Sequence, residues 1–282
     1  MYSKVFCVIG DPIEHSLSPV MHNAVFKSLG LNYTYEAFKI VPKSLGGAIR
    51  GFKTLGVKGV NVTIPHKVRV IKYLDELSEE AGIIGAVNTI KIDEKLRGYN
   101  TDGVGALRAL KSNGVTPEGR KVVMLGSGGA ARAIAVTLAL RENISSLAIL
   151  GIEEKELAQL VSEISKNTKV KPEGVIMTKD AKREWISRAD ILIHCTPVGM
   201  HPNTGKSLVT ADMLHSDLAV MDIVYTPLET KLMKEANEAG VRKIIGGVDM
   251  FVNQGAESLK IWLGIDAPVK LMREVVVDRL KN

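Results

Sequence analysis

Polar groups suited to binding and proton transfer are concentrated in one short segment, Asn61-Val62-Thr63-Ile64-Pro65-His66-Lys67. The alternation of apolar and polar residues from Gly59 to Ile64 predicts a buried strand. Pro65 ends that strand and suits the first turn of a helix, which the pattern predicts to continue to about Leu74. Lys67 would then lie at a strand-to-helix corner, where a rigid sheet positions a catalytic group that a loop leaves accessible. An ordinary solvated lysine is the alternative.

Two serines lie at the start of a candidate helix in the N-terminal part, in the sequence Ser16-Leu17-Ser18-Pro19. Ser18 occupies a predicted N-cap position with Pro19 at the first helical position, so capping alone accounts for Ser18. Ser16 is not needed for that cap. Two hydroxyls beside a helix N-terminus would suit an anion or a carboxylate.

Three further polar residues each have a structural alternative. Asn88 lies in an apolar stretch, where a buried amide needs either protein partners or a ligand. Asp102 follows Asn100-Thr101 and precedes a helix predicted over 104–113, which it could cap. Gln254 lies in a helix predicted over 249–263 and faces either a site or solvent.

A glycine-rich loop follows the strand predicted over 121–125 and precedes a helix predicted over 133–140. The loop residues are Gly126, Ser127, Gly128, Gly129 and Ala130. This is a G-x-G-x-x-A form of the dinucleotide fingerprint, in which glycines admit a pyrophosphate to the amides of a helix N-terminus.

The residues after the next predicted strand, 146–150, would meet the adenosine ribose of a dinucleotide. They read Gly151-Ile152-Glu153-Glu154-Lys155-Glu156. Acidic side chains suit a free ribose 2′-hydroxyl, whereas a 2′-phosphate favours an arginine, which is absent from this run. Alternatively, the acids simply begin the helix predicted over 155–166, where they suit the helix dipole.

The composition fits an ordinary globular protein of two domains. The chain has 282 residues, 45% of them hydrophobic and 24% charged. Its net charge is +6, and its lysines and arginines are dispersed along the sequence. There is no basic run, so nucleic-acid binding is not expected. Cys7 and Cys195 lie in separate apolar runs, without metal-ligand or disulfide spacing. With no signal-like N-terminus and no membrane-length apolar run, we expect a cytoplasmic protein with neither membrane nor metal.

The element pattern predicts an α/β fold. The first third alternates β-α-β-α-β, and the region from residue 121 to 245 alternates strands and helices as in a doubly wound parallel sheet with nucleotide loops at its strand ends.

Taken together, these motifs closely resemble the shikimate dehydrogenase (shikimate/quinate dehydrogenase) family over nearly the whole chain. The resemblance also rests on Cys195-Thr196-Pro197-Val198-Gly199-Met200, on Tyr225 and on the segment 247–254. It implies an N-terminal α/β substrate-binding and catalytic domain, residues 1–103, completed by C-terminal helices 249–282. A Rossmann dinucleotide-binding domain, residues 104–248, would be inserted between them, with the active site in the cleft between the domains.

The resemblance implies reversible reduction of 3-dehydroshikimate to shikimate with a nicotinamide cofactor, usually NADP, in the biosynthesis of chorismate and aromatic amino acids. Lys67 and Asp102 match the family's catalytic pair, and Ser16 and Ser18 match the hydroxyls that bind the substrate carboxylate. Further substrate-site matches are Asn61, Thr63, Asn88, Tyr225 and Gln254. Cofactor-site matches are Gly126, Ser127, Gly128, Gly129, Ala130, Glu153, Thr196, Ile223 and Gly247. A monomer or homodimer is expected.

Two departures from the family bear on the cofactor. Gly151-Ile152-Glu153 replaces the usual Asn-Arg-Thr, so the arginine that holds the 2′-phosphate is missing. We therefore hypothesise that the preference for NADP is weakened, with reversal toward NAD as its extreme form. Cys195 stands where asparagine or threonine is common, which we expect to be a minor change near the nicotinamide.

Other functions remain as alternatives. The first is a quinate or dual quinate/shikimate dehydrogenase that uses NAD, since selectivity depends on room for one more hydroxyl on the ring. The second is a non-catalytic nucleotide-binding regulator, against which Lys67 and Asp102 both argue. The third is another two-domain Rossmann enzyme such as a folate dehydrogenase, which the serine loop and Asn100-Thr101-Asp102 disfavour.

Overall fold

The computed structural model describes residues 3–281, which divide into two compact units. The first unit is discontinuous in sequence and comprises Met1–Thr101 and Val252–Asn282, whereas the second is the continuous segment Asp102–Phe251. No helix within residues 3–281 combines the length and the apolar character needed to cross a bilayer.

A six-stranded mixed sheet forms the centre of the first unit. Its strands are β1 (Lys4–Gly10), β2 (Tyr33–Lys39), β3 (Gly59–Val62), β4 (Glu76–Leu77), β5 (Thr89–Ile92) and β6 (Leu96–Tyr99), in the order β2-β1-β3-β5-β6-β4. The pairs β1–β2, β1–β3 and β4–β6 are parallel, and β3–β5 and β5–β6 are antiparallel. The β-α-β-α-β prediction for the first third is confirmed.

The helices of the first unit are α1 (Ser18–Ser28), α2 (Leu45–Thr54), α3 (Glu79–Ile84) and, at the far end of the chain, α10 (Val269–Lys281). The helix α9 (Gly247–Leu263) spans the sequence boundary between the units, and its residues from Val252 onward belong to the first. Short 3₁₀ helices cover Pro42–Ser44 and Ile71–Tyr73.

The segment after β3 forms turns, so the helix predicted from His66 to about Leu74 is wrong. The Ile64–Pro65 peptide bond is cis, and Pro65 lies in a turn. The carbonyl of Lys67, which an α-helix would pair with the amide of Ile71, instead accepts the backbone N–H of Val87 at 2.8 Å. A tertiary hydrogen bond thus replaces the helical one. Contacts with another part of the chain override the local propensity for a helix.

Helix α3 is absent from the sequence-based prediction, although the chain carries its end signals. Ser78 is the N-cap, and its hydroxyl accepts the N–H of Ala81 at 3.2 Å. Glu79 and Glu80 in the first turn suit the helix dipole. Gly85, with φ of 68°, ends the helix in the left-handed conformation that glycine adopts readily. A capping serine and a terminating glycine bracket even this short helix.

The C-terminal segment completes the core of the first unit. The indole N–H of Trp262 on α9 donates to the carbonyl of Ile90 on β5 at 2.9 Å. A Cβ on Gly59 would lie 2.4 Å from the indole, so β3 and Trp262 can meet only where residue 59 is glycine. Helix α10 packs on α1.

The second unit contains a six-stranded sheet in which every pairing is parallel. Its strands are β7 (Lys121–Leu125), β8 (Ser146–Gly151), β9 (Glu173–Ile176), β10 (Ile191–His194), β11 (Ala219–Asp222) and β12 (Lys243–Ile245), in the order β12-β11-β10-β7-β8-β9. Its helices are α4 (Asp102–Ser112), α5 (Gly129–Arg141), α6 (Glu154–Asn167), α7 (Lys179–Ile186) and α8 (Lys231–Glu238), with a 3₁₀ turn at Ala211–Met213. Counted within the unit this is the strand order 3-2-1-4-5-6, which confirms the predicted Rossmann topology.

Candidate active site

The serine loop connects β1 to α1 in the first unit. Ser18 is the first residue of α1 and is buried, while Leu17 occupies the N-cap position and no side chain caps from there. The Ser16 hydroxyl instead accepts the backbone N–H of Ser18 at 3.3 Å. The interpretation that Ser18 caps the helix without help from Ser16 is therefore wrong, because a serine accepting the amide two residues ahead turns the chain into the helix. Both hydroxyls lie at the start of α1.

Asn61 on β3 is the centre of a buried hydrogen-bond network. Its side-chain amide donates to the carbonyl of Asn88 at 3.1 Å and to the hydroxyls of Thr89 and Ser258 at 3.0 Å each. Its side-chain oxygen accepts the Tyr35 phenol at 2.6 Å. Asn61 is buried and hydrogen-bonded within the protein at both ends of its amide, so it holds β3 to β5 and α9.

Asn88, Thr101 and Gln254 form a second part of this network. The side-chain oxygen of Asn88 accepts the backbone N–H of Thr101 at 2.8 Å, and its amide donates to the Thr101 hydroxyl at 2.9 Å. That hydroxyl also lies 3.5 Å from the side-chain oxygen of Gln254 on α9. The structure brings these predicted site residues together in the first unit, and the buried Asn88 has the protein partners that its setting requires.

Thr63 and Lys67 lie on the turn segment after β3, and both side chains are partly exposed. The backbone N–H of Thr63 donates to Ile9 at 2.9 Å. A Cβ on Gly10 would lie 2.6 Å from the Thr63 methyl, so glycine at the end of β1 makes room for this threonine. The bond between the Lys67 carbonyl and Val87 fixes the lysine's backbone while its side chain reaches the surface.

Sequence reasoning missed Tyr35, Thr89 and Ser258 as parts of this network. The sequence pattern indicates only a strand or helix position for each of them. Tyr35 is fully buried on β2, and burial raises the pKa of its phenol well above its ordinary value. A tyrosine in the middle of a predicted buried strand was the available signal, because a buried phenol needs a hydrogen-bond partner.

In the second unit, Asp102 is the first residue of α4 and is buried. The predicted helix over 104–113 therefore begins two residues too late. Helix α4 packs against α5 at Gly103, where a Cβ would lie 2.0 Å from the Thr137 hydroxyl and 2.4 Å from the Ala133 carbonyl. Glycine at position 103 allows this close approach, which fixes the helix that carries Asp102.

Tyr225 follows β11 in the same unit. Its ring stacks on Phe251 with centroids 5.0 Å apart and an angle of 30° between the planes. Burial raises the pKa of its phenol, so the side chain is a neutral hydrogen-bonding group.

The glycine-rich loop connects β7 to α5. Gly126 has φ of 111°, and a Cβ there would lie 3.0 Å from the Thr196 methyl and 3.1 Å from the Cys195 carbonyl. Gly128 is the N-cap of α5, with no capping side chain. The first amides of α5 are thus not covered by a cap at the end of a parallel strand, which is the arrangement that binds a pyrophosphate.

The segment after β8 presents acidic and apolar side chains. Ile152 is 75% exposed, and Glu153 is the exposed N-cap of α6. Glu156 reaches back to the glycine-rich loop, with its carboxylate 3.5 Å from the Ser127 hydroxyl. Arg132 on α5 forms an ion pair with Glu163 on α6. The basic side chain that a 2′-phosphate would favour is absent from residues 151–154.

Thr196, Ile223 and Gly247 follow the strands on the other side of β7. A Cβ on Gly247 would lie 2.3 Å from the carbonyl of Ile223, so the start of α9 packs directly on the backbone after β11. Cys195 is buried, and desolvation together with the charge of Asp222 raises the pKa of its thiol far above the ordinary value. The thiol is therefore not a nucleophile at neutral pH.

Family models match both segments of the first unit. Residues 8–90 match the shikimate dehydrogenase substrate binding domain, and residues 247–277 match the shikimate 5′-dehydrogenase C-terminal domain. A shikimate dehydrogenase (NADP(+)) of Methanopyrus kandleri is 46% identical over 282 residues, covering 99% of this chain and 97% of the relative. The chain belongs to the shikimate dehydrogenase family. A second shikimate dehydrogenase (NADP(+)), from Methanocaldococcus jannaschii, is 44% identical over 281 residues, which cover 99% of this chain and 98% of the relative.

Solved structures of related enzymes have the same fold as this chain. The Listeria monocytogenes shikimate 5-dehydrogenase in complex with shikimate and NAD has a TM-score of 0.92 at 37% identity, covering 97% of this chain and 96% of that one. A quinate dehydrogenase from Corynebacterium glutamicum in complex with NAD has a TM-score of 0.89 at 28% identity, covering 98% and 99%. Within the family, the same fold therefore accompanies more than one substrate name and both forms of the cofactor.

Proposed function

We propose that this protein is an NAD(P)-dependent shikimate dehydrogenase that reversibly reduces 3-dehydroshikimate to shikimate, in the biosynthesis of chorismate and aromatic amino acids. The observation that carries the proposal is the 46% identity, over almost its full length, to a shikimate dehydrogenase (NADP(+)), in a chain that keeps a glycine-rich loop on a Rossmann sheet and a network of amides and hydroxyls in the other unit. Such a biosynthetic enzyme would be cytoplasmic.

We assign dinucleotide binding to the second unit and the substrate contacts other than Tyr225 to the first. The Ser16 hydroxyl already accepts the Ser18 amide, so its own proton is available to a substrate carboxylate beside the positive end of α1. Asn88 and Gln254, joined through Thr101, would hold the ring hydroxyls, with Thr63 and Tyr225 as further contacts. Asn61 would act by fixing this network, because its amide is bonded within the protein.

Lys67 and Asp102 would carry the proton of the reaction. When bound, the nicotinamide accepts or supplies the hydride. Oxidation of the alcohol also releases a proton from its oxygen, and reduction of the ketone requires one. A lysine that donates a hydrogen bond to this oxygen polarises the carbonyl and stabilises charge that develops on it. Asp102, the other proposed member of the catalytic pair, would take part in the proton exchange through its carboxylate.

For the cofactor, we propose a weaker preference for the 2′-phosphate than is usual in the family. Ile152 offers an apolar surface where the usual arginine would bind that phosphate, and Glu153 places a negative charge beside it. An acid here accepts hydrogen bonds from ribose hydroxyls and repels a phosphate. Discrimination in favour of NADP should therefore be lower than with a charge-assisted arginine contact.

A second candidate is a quinate or dual quinate/shikimate dehydrogenase. It is favoured by the same adenosine pocket and by the similarity to the quinate dehydrogenase in complex with NAD. The test is nicotinamide absorbance at 340 nm with purified protein, crossing shikimate and quinate with NADP and NAD. Turnover of shikimate exceeding that of quinate supports the proposal. Turnover of quinate alone supports the second candidate, and cofactor binding without any turnover supports a regulatory protein.

A further inference from the structure

A buried pair of side chains, His194 and Asp222, connects the carboxyl ends of β10 and β11 in the second unit. The imidazole Nδ1 lies 2.9 Å from Asp222 Oδ1, and the residues are 2% and 1% exposed. Neither residue has a part in the chemistry proposed above. Burying a histidine and a carboxylate costs free energy, because each loses its hydration. A pair buried at the edge proposed to bind the dinucleotide therefore suggests a role at that edge.

Asp222 is fixed by three donors. Its Oδ1 accepts His194 Nδ1–H and the backbone N–H of Val224 at 3.1 Å, and its Oδ2 accepts the Thr230 hydroxyl at 2.6 Å. Thr230 in turn caps α8 by accepting the N–H of Met233 at 3.3 Å. With the Nδ1–H donated to Asp222, Nε2 is left as the acceptor of the ring.

The Nε2 atom hydrogen-bonds the hydroxyl of Thr196, which lies in the loop after β10. The Thr196 oxygen also accepts the backbone N–H of Val198 at 3.2 Å. A hydroxyl that accepts an N–H and donates to a ring nitrogen has a single orientation. The series Asp222–His194–Thr196 therefore sets both the position and the rotation of this threonine.

The position of Thr196 matters because of the strand order. β7 and β10 are neighbours, but the chain runs from β7 outward to β9 before it returns to β10, so the direction of winding reverses between them. Ligands of open α/β sheets bind at this switch point. Gly126 follows β7 and the Thr196 methyl lies against it, 3.0 Å from where a Cβ would be.

We propose that His194 is a positioning residue for the dinucleotide: held by Asp222, it orients Thr196 and thereby fixes the Cys195–Met200 loop beside the glycine-rich loop. The proposal rests on the proposed function for the identity of the cofactor. It predicts that loss of the imidazole weakens cofactor binding and leaves recognition of the substrate ring unchanged.

The test uses His194→Asn in the full-length protein. The asparagine amide takes the place of Nδ1 and can still donate to Asp222, but it is too short to reach Thr196. Calorimetric titration with NADP and with NAD should give dissociation constants about tenfold higher than wild type, as expected for one lost hydrogen bond. The KM for shikimate should stay within about twofold. His194→Gln, whose amide oxygen can reach the Nε2 position, should recover part of the affinity.

Thr196→Val supplies the second arm. It removes the hydroxyl at nearly constant shape, and a double variant with His194→Asn should bind cofactor no more weakly than the weaker single variant, because both delete the same hydrogen bond. Additive losses, or a His194→Asn protein with the wild-type dissociation constants, would overturn the proposal. If His194→Asn does not fold, His194→Gln takes its place in the double variant.

The failure of the proposed function can be distinguished from the failure of this proposal. A wild-type protein that binds cofactor but does not oxidise shikimate contradicts the proposed function, while the dissociation constants of the variants still decide the role of His194.

Discussion

Tyr35 and Asn61 are joined across a strand. They lie on β2 and β3, the two neighbours of β1, and the phenol reaches over β1 to donate a 2.6 Å hydrogen bond to the Asn61 side-chain oxygen. The Ser18 side chain also hydrogen-bonds the phenol. A single buried tyrosine thus ties a proposed carboxylate-binding serine to the amide network of the first unit.

Tyr35→Phe should destabilise the protein by about 1–3 kcal/mol, because it leaves the buried Asn61 oxygen without its donor. Urea unfolding measures this loss, and the KM for shikimate should rise as Ser18 loses its neighbour. Tyr33→Phe is the matched control, since the Tyr33 hydroxyl receives a hydrogen bond only from the exposed Lys4 among the contacts described. Equal stabilities for the two variants would contradict this prediction.

Lys67→Ala should lower kcat for shikimate by several orders of magnitude and leave the dissociation constant of the cofactor unchanged. Asp102→Asn should also lower kcat, since it removes the negative charge but keeps a side chain of similar size. Stopped-flow absorbance of NADPH formation gives the rates. Lys72→Ala, an exposed lysine in the segment that follows, is the control. Turnover near the wild-type rate in Lys67→Ala would end its catalytic assignment.

The pair Ile152→Arg and Glu153→Thr restores the family's usual residues after β8. The ratio of kcat/KM with NADP to that with NAD should increase by about ten- to a hundredfold, because a charge-assisted contact to the 2′-phosphate is gained and a repulsive carboxylate is lost. Asp180→Thr, which removes one exposed acid from α7, controls for the loss of the negative charge of Glu153. A wild-type ratio that already strongly favours NADP would refute the premise.

The burial of His22 should make the free energy of unfolding of the first unit decrease at acid pH. The ring is fully buried, stacks on Tyr35 at 4.3 Å, and neither nitrogen has a hydrogen-bond partner among the described residues. Burial lowers the pKa of His22 to about 3, against roughly 6.5 for an exposed histidine. Between these values the unfolded chain binds the extra proton, so the free energy of unfolding falls as the pH falls, by up to ~1.4 kcal/mol per pH unit.

His22→Phe should remove this contribution. Its free energy of unfolding should fall less than that of wild type between pH 6.5 and pH 4, as measured by urea unfolding at several pH values. His201→Phe, at an exposed histidine, should retain the wild-type slope. The idea fails if both variants have the same pH dependence.

How far the sequence predicts the structure differs between the two units. In the second unit, strand, glycine-rich loop and helix follow one another directly, so local signals suffice for the Rossmann topology. In the first unit, the turn segment after β3 depends on a backbone hydrogen bond from Val87 to Lys67, which comes from a distant part of the chain. Periodicity cannot reveal such a bond, and it predicts a helix there instead.

In the candidate site, too, some residues are predictable from the sequence and others only from tertiary contacts. Types of residue and resemblance identified Ser16, Lys67 and Gln254, which have chemistry of their own. Tyr35 and Ser258 act through Asn61, and their roles become visible only when β2, β3 and α9 are adjacent. The pairing of His194 with Asp222, which is 28 residues later in the chain, likewise becomes visible only when β10 and β11 are adjacent.

The contact of Trp262 with Gly59 affects the order in which the two units can fold during synthesis. The second unit is continuous and can fold as soon as it emerges, whereas the first hundred residues wait for an indole that is translated near the end. At common elongation rates the delay is on the order of ten seconds. During that time β1 and β3 lack the indole that packs on them, so the first unit completes its core only after the second has been synthesised.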